Sequence, residues 1–359
     1  MRAFIIMLTV AYSVANPQFG LPKLGVPKVA QRVGDVATSG VSSVADAGGQ
    51  IASSLFEGQW QEFLKGKNYS PSELLSRKNI FLTNAQTIAD AAKSGVVGFA
   101  MKLNSLADLT FDEFNKFFNG FRGSAIGSSK APVYKTEKEE PLPESVDYRE
   151  KGAVTPVQNQ LKCAGCWAFA AAGALEGHHF LKTGQLEQIS VQNLLDCSKE
   201  NDNGGCNGGL VEPAFDYIQD NGINRAANYE FVAKNGECKH AKAENAANCT
   251  GYVRVPQGDE KSLAKALAQK GPISVALHVV PRFQLYSDGV FYDPDCKNSP
   301  GDLNHAVLLV GYGKEPNGQK YWLVKNSYGA DWGKEGYVKI AKDAGNHCGI
   351  ATYARFPTV

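Results

Sequence analysis

The sequence predicts an α+β domain of two lobes, preceded by a mainly helical front segment. Three observations carry this. Amphipathic helical stretches crowd the region before residue 120 and one long helix follows near residue 170, whereas later residues break into short apolar runs separated by Gly and Pro. All eight cysteines lie between Cys163 and Cys348, so the front and the back have different jobs. The chain has 359 residues, enough for two such parts. With 43% hydrophobic and 20% charged residues it is not a mostly disordered chain. The net charge of +1, without a basic stripe or an acidic tail, gives no support to a nucleic-acid partner. Residues 1–142 carry 15 basic and 12 acidic residues, and residues 143–359 carry 22 and 24, so the two parts attract each other weakly.

In chain order, residues 1–15 read as a secretory signal. Arg2 is the positive start, Ala3 to Val10 is nearly all apolar, and Ser13-Val14-Ala15 supplies small residues for cleavage. That run is too short to span a bilayer and no other candidate span follows. Residues 16–56 form an extra segment of unassigned role. Its Val26, Val29, Val33 and Val36 fall on one helical face, and it reads as a spacer or a weakly packing helix. Residues 57–120 read as helical: Trp60, Phe63 and Leu64 recur at helical spacing. A second helix starts after Ser70-Pro71-Ser72 and runs through Leu74, Ile80, Phe81 and Ile88 to about Ala92. Phe99 to Leu103 alternates like a strand, and Thr110 to Asn119 carries four phenylalanines on a short helix. Residues 121–142 read as a linker holding the maturation site; from Ser124 to Pro143 the chain is rich in Ser, Lys, Glu and Pro, as exposed and easily cut linkers are. In residues 143–359 a helix is expected from about Gly165 to Lys182. Strands follow at Ile273–Val279, Ala306–Tyr312, Tyr321–Asn326 and Gly336–Ala341.

Cys163-Ala164-Gly165-Cys166-Trp167 is the first candidate for chemistry. A C-x-x-C pair fits half a zinc site, but no second pair or H-x3-H follows; it fits a redox pair, but no βαβ pattern surrounds it. A third reading ties Cys163 in a disulfide and leaves Cys166 free at a helix N-terminus. There the helix dipole favours the thiolate, a nucleophile for carbonyl carbon. Such a nucleophile needs a base and an orienter. His305 lies 139 residues on, just before an apolar strand, and Asn326 lies 160 residues on. A Cys with His and Asn far downstream is a protease pattern.

At these residues the chain resembles the papain-like cysteine peptidases, especially the cathepsin L group, over about Glu57 to Val359. Leu142-Pro143-Glu144-Ser145-Val146-Asp147-Tyr148-Arg149 resembles the start of the mature enzyme, and Gln158-Asn159-Gln160 precedes Cys166 at the family's spacing. Gly205-Cys206-Asn207-Gly208-Gly209-Leu210, Gly271-Pro272-Ile273-Ser274-Val275-Ala276 and Asn346-His347-Cys348-Gly349-Ile350 also match. The front resembles the family's inhibitory propeptide. Glu73, Arg77, Ile80, Phe81, Asn84 and Ile88 fit its helix motif in order, with Ala92 departing at the last position. Lys102, Asn104, Leu106 and Asp108 fit a second motif at two of four positions.

The resemblance implies a two-lobed fold, a helical lobe and a β-barrel-like lobe with the active-site cleft between them, behind a helical propeptide. It implies a cysteine endopeptidase made as a zymogen. Cys166 is the nucleophile, His305 the acid and base, Asn326 the orienter, and Gln160 with the Cys166 backbone N–H the oxyanion hole. Ala164, Gly208, Gly209, Leu210, Val211, Ala276, Asn304 and Tyr353 would line the substrate pockets, and Trp332 would cover the Asn326–His305 pair. The disulfides implied are Cys163–Cys206, Cys197–Cys238 and Cys296–Cys348, which leaves Cys249 as an odd, buried thiol. No metal or cofactor is implied. The partners are polypeptide substrates, the chain's own propeptide and cystatin-type inhibitors; the protein is expected to be a monomer in the secretory pathway, lysosomal or secreted.

Several residues depart from the family. Leu161 and Ala164 stand where Gly is usual, and Tyr328 where Trp is usual. Tyr353 at the floor of the second pocket suggests a shallow pocket that prefers Val or Leu over Phe. His178-His179 read as a solvated helix face. Asn68-Tyr69-Ser70 and Asn248-Cys249-Thr250 are glycosylation acceptor patterns. The competing reading is a papain-like fold with impaired activity, retained for binding or storage.

Overall fold

The computed structural model describes residues 56–94, 98–126, 129–136, 141–201 and 203–359. The signal and the extra segment to residue 55, like residues 137–140 near the junction, lie outside the described residues. Helix α1 spans 56–63 and α2 spans Pro71–Ser94. Glu73 starts α2 by reaching back to the Ser70 amide at 3.1 Å and its hydroxyl at 2.6 Å. Strand β1 (Phe99–Met101) and helix α3 (Phe111–Phe118) follow. Thr110 and Glu113 form a reciprocal capping box at the start of α3. Trp60, Phe81 and Ala107 make a small core that is completed by Leu285, a residue of the C-terminal part.

Helix α4 (Cys166–Thr183) is buried from Cys166 to His178 apart from Phe169, because it packs between the lobes with a face of small residues. A left-handed Gly184 ends it. With α5 (Val191–Cys197) and α6 (Val211–Asn221) it builds the helical lobe, to which β3 (Ile223–Asn224) and β4 (Asn245–Ala247) add a two-stranded sheet. The second lobe is a nine-stranded sheet. It comprises β2 (Val146–Asp147), β5 (Gly251–Arg254), β6 (Ile273–Leu277), β7 (Tyr286–Phe291), β8 (His305–Lys314), β9 (Lys320–Lys325), β10 (Tyr337–Ala341) and β11 (Ala354–Thr358), with the front segment's β1 as the ninth. The path is β1-β7-β10-β9-β8-β6-β11-β5, with β2 on β8. Helices α7 (Glu260–Lys270) and α8 (Pro281–Gln284) accompany it.

Helices α5, α6 and α7 fall in the stretch read from sequence as strands and loops. Helix α5 is buried along its whole length, so it shows no polar face and no clear period. Caps were nevertheless present: Ser190 accepts from the Asn193 amide and Asp259 from the Ser262 amide. His178 is a correction as well. It is buried, not solvated, with its ring stacked on Phe356 at 5.7 Å and a ring nitrogen 3.0 Å from the Pro272 carbonyl oxygen. Burial lowers its pKa to about 4. Cys249 is buried and unpaired. Among the described residues no helix is long and apolar enough to cross a membrane.

Candidate active site

Three elements bring the reactive residues together. Cys166 is the first residue of α4, His305 is the first of β8, and Asn326 directly follows β9. Strands β8 and β9 pair antiparallel, so His305 and Asn326 approach from neighbouring strands. His305 Nε2 lies 2.8 Å from Asn326 Oδ1. The same oxygen accepts from the Ser327 backbone N–H, also at 2.8 Å. A backbone N–H can only donate, so the acceptor face of Asn326 is fixed. Nε2 must then carry the proton of a neutral imidazole, and Nδ1 keeps its lone pair. That Nδ1 is buried and, among the described residues, makes no well-aligned hydrogen bond, which leaves it ready to take a proton.

Gln160 sits on a loop under Cys166. Its amide oxygen accepts from the Ser327 hydroxyl at 2.6 Å, which turns Nε2 toward the cleft. There Nε2 donates to the carbonyls of Cys163 and Phe118, each at 2.9 Å. The Phe118 carbonyl belongs to the front segment, so in the covered cleft the Gln160 amide is already engaged by it. Leu161, the next residue, has a left-handed backbone with φ 51°. A glycine is the ordinary occupant of such a position, so the backbone accounts for the usual Gly and nothing in the structure explains the Leu.

The front segment runs through the cleft. The Gly120 N–H donates to Cys166 Sγ at 3.3 Å, and the Ala306 N–H does so at 3.5 Å. Phe121 N–H donates to the Asn304 carbonyl, Gly209 N–H to the Gly120 carbonyl, and Arg122 N–H to the Gly209 carbonyl. Phe121 thus runs parallel to Gly209. An amide nitrogen, not a carbonyl carbon, therefore faces the sulfur, so this segment blocks the nucleophile without offering it a bond to attack. The fit requires Gly120: a Cβ there would lie 1.8 Å from the Ala164 carbonyl oxygen and 2.8 Å from the Ala164 methyl.

Burial under this segment changes the ionisation of the pair. It pushes the Cys166 thiol up to about 11 and the His305 imidazole down to about 4. The thiolate expected from the helix N-terminus is thus suppressed while the cleft is covered, and both groups are neutral at intermediate pH.

The disulfides present are Cys163–Cys206, Cys197–Cys238 and Cys296–Cys348. The first ties the loop carrying Gly208 and Gly209 to the start of α4. Phe121 meets the Tyr353 ring edge-on at 4.9 Å, in one buried cluster with Val211 and Ala276, against which Leu210 packs. Tyr353 is held by the Glu212 N–H on its hydroxyl and by the Arg355 guanidinium 4.1 Å from its ring centre. An aromatic ring of the propeptide thus packs against Tyr353. Trp332 departs from expectation. The ring stacked on His305, at 4.7 Å, is that of Tyr328; Trp332 lies behind it, 5.3 Å from Tyr328, packed on Phe283 and Tyr286. Tyr328 is nearer in sequence to Asn326 and takes the inner place. Sequence reasoning missed the part played by Asn115 and Asn119, whose amides line the covered cleft; polar residues on a short, Phe-rich helix gave no signal of that role.

Comparison with known proteins bears directly on this geometry. The family model for papain family cysteine protease matches residues 142–358. The chain belongs to the papain family of cysteine proteases. A cathepsin propeptide inhibitor domain matches residues 60–114. Procathepsin L of Mus musculus is 46% identical over 314 residues, covering 85% of this chain and 92% of the mouse protein. Digestive cysteine proteinase 1 of Homarus americanus is 43% identical over 309 residues, covering 84% and 94%. The solved structure of digestive procathepsin L 3 from Tenebrio molitor larval midgut superposes with a TM-score of 0.79 at 39% identity, covering 85% of this chain and 99% of that one. This papain-family chain is a cysteine protease zymogen of cathepsin L-like type, and its front segment is the inhibitory propeptide.

Proposed function

We propose that this zymogen matures to an endopeptidase in which Cys166, His305, Asn326 and Gln160 perform the chemistry. The observation that carries the reading is the fixed proton on His305 Nε2, which leaves Nδ1 as the base toward the cleft. With the propeptide gone and water admitted, Cys166 gives its proton to His305, and the thiolate attacks the scissile carbonyl carbon. The C–N bond breaks, His305 protonates the departing amine, and a thioester remains. Water then attacks the thioester with His305 as base and frees the acid. The Gln160 side-chain amide and the Cys166 N–H stabilise the oxyanion in both steps. Asn326 holds the imidazole in its tautomer.

Gly208 and Gly209 bind substrate backbone, as Gly209 now binds the propeptide, and the Asn304 carbonyl does the same. Ala164 flanks the residue before the scissile bond. Leu210, Val211, Ala276 and Tyr353 form the next pocket, which accepts Phe as well as Leu. Maturation falls between residues 139 and 144 and leaves a domain of 143–359. The apolar N-terminus and three disulfides support passage through the secretory pathway to a lysosome or the extracellular space. A monomer open to cystatin-type inhibitors fits this picture. The proenzyme is tested between pH 4 and 7 with a thiol reductant and fluorogenic Val-Leu-Arg and Phe-Arg amides, beside Cys166→Ala. Activity that grows as a propeptide-sized fragment is lost, and that is absent in the variant, supports the reading. Absence of thiol-dependent turnover after forced removal of the propeptide sinks it in favour of a binding protein.

A further inference from the structure

The Tyr328 ring accounts for the shielding of His305, but its hydroxyl does something that shielding does not require. It donates to Asn119 Oδ1 of the propeptide at 2.7 Å. Asn119 Nδ2 donates to Asn115 Oδ1, one helical turn earlier, at 3.0 Å, and that oxygen also receives Asn304 Nδ2 at 3.4 Å. The four side chains form a bridge from Tyr328 to Asn304, the residue before His305, so the propeptide spans the catalytic histidine from one wall of the cleft to the other. The inventory closes: Asn115 Oδ1 accepts twice, Asn119 donates once and accepts once, and the phenol donates. Tyr328 is buried only with the propeptide's help, since Phe114 and Phe118 meet its ring edge-on at 5.4 and 5.5 Å. Asn119 is the hydroxyl's one hydrogen-bond partner among the described residues. When the propeptide leaves, a phenol O–H remains on the ring stacked against His305, at the place Asn119 had occupied. A donor at such a site gains by finding an acceptor. The half of a polypeptide that departs as the amine must pass here, because His305 protonates it, and its main chain carries carbonyls.

We propose that the Tyr328 hydroxyl is a specificity-determining donor for which propeptide and substrate compete: it holds Asn119 in the zymogen and a main-chain carbonyl of the leaving half of the substrate in the mature enzyme. This rests on the peptidase reading above and deepens it. Both halves are tested in the full-length chain. The rate at which iodoacetamide alkylates Cys166 in the intact proenzyme reports opening of the cleft. Tyr328→Phe and Asn119→Ala each raise it about three- to tenfold, the effect of one neutral hydrogen bond, and the double variant raises it no further. Mature enzymes from the processed proenzymes are then compared on a peptide coumarin amide, which has no residues beyond the scissile bond, and on a quenched peptide extending four residues beyond it. Tyr328→Phe lowers the ratio of kcat/KM, extended over short, about three- to tenfold. Asn119→Ala leaves this ratio unchanged, because the altered residue departs with the propeptide. A role in shielding alone would move both substrates together. Multiplying effects in the double variant, or an unchanged ratio in Tyr328→Phe, overturns the proposal. Should Tyr328→Phe fail to fold, Tyr328→Leu, which is apolar and has no donor, carries the same expectations. Failure of the unaltered mature enzyme to turn over either substrate would count against the peptidase reading itself.

Discussion

The propeptide grips the enzyme in two chemically different ways. Its globule, α1 to α3, is held by an apolar core and by charge. Trp60 and Phe81 pack with Leu285, Arg77 forms a two-pronged pair with Glu113, and Asp331 of the mature part accepts the Ser105 N–H at 2.7 Å. The segment in the cleft is held by backbone hydrogen bonds, by amides and by the Arg122 guanidinium, and among the described residues no carboxylate takes part in those contacts. Within the propeptide, the carboxylates that answer to acid lie in the anchor. Acid therefore loosens the anchor, and it also favours an open cleft directly, because the cover holds His305 neutral down to about pH 4.

The largest effect is expected from the cleft segment. Gly120→Val in the full chain drives a side chain into the Ala164 carbonyl, which cannot move without breaking the start of α4. Alkylation of Cys166 in the uncleaved proenzyme at neutral pH should then approach the mature rate; a rate equal to that of the unaltered zymogen would mean that Gly120 does not seat there. Gln160→Ala separates the two functions of one amide. Mature kcat/KM should fall about 10²- to 10³-fold through loss of an oxyanion donor, whereas the propeptide loses only the one neutral hydrogen bond from Gln160 to its Phe118 carbonyl, and the zymogen stays inhibited. Steady-state kinetics beside proenzyme labelling reads both.

Smaller changes are expected from the anchor. The Arg77 side chain, hydrogen-bonded to Glu113, holds its carboxyl below the usual range of about 4.5. A depressed carboxylate stabilises the fold fully above its unfolded pKa and loses that contribution as pH falls through the folded one. Both partners are partly exposed, so the contribution is modest. Glu113→Gln should hasten maturation about two- to fivefold at pH 7, with the gap to the unaltered zymogen closing below about pH 4.5. A gap independent of pH would assign the acid response to other groups. The smallest difference concerns the pocket filled by Phe121: kcat/KM for otherwise identical Leu and Phe substrates should agree within about threefold, since one or two methylenes shift pocket affinity only modestly. Strong exclusion of Phe would restore the shallow pocket expected from Tyr353.

Residues whose role depends on type and spacing were legible in the sequence. Cys166 ahead of a helix, His305 before an apolar strand and Asn326 after the next one carry their roles in local pattern, and the strands put them in reach. What depends on tertiary burial was not legible. His178 looks polar in sequence and lies in the core. Tyr328 and Trp332 are both aromatic and four residues apart, and only packing decides which of them touches His305. Leu161 carries a backbone angle that its identity does not advertise. Nor does any residue of the 118–122 stretch show that an N–H, not a carbonyl, will face the sulfur.

Strand β1 lends the enzyme one more thing while the propeptide lasts. It pairs antiparallel with β7 and covers Tyr286 and Phe291 with Phe99. Maturation takes this strand away and turns β7, paired on its other side with β10, into a bare margin of the sheet. Bare margins recruit foreign strands, and enzymes packed at high concentration would aggregate through them. This margin is poorly suited to such recruitment. It is six residues long, its register slips within the β1 pairing, Gly289 bends it at φ 87°, and Asp288 sets a charge on it, paired with Lys334. The prosegment thus acts as a temporary hem on the sheet, and the strand beneath is already shaped to go without one.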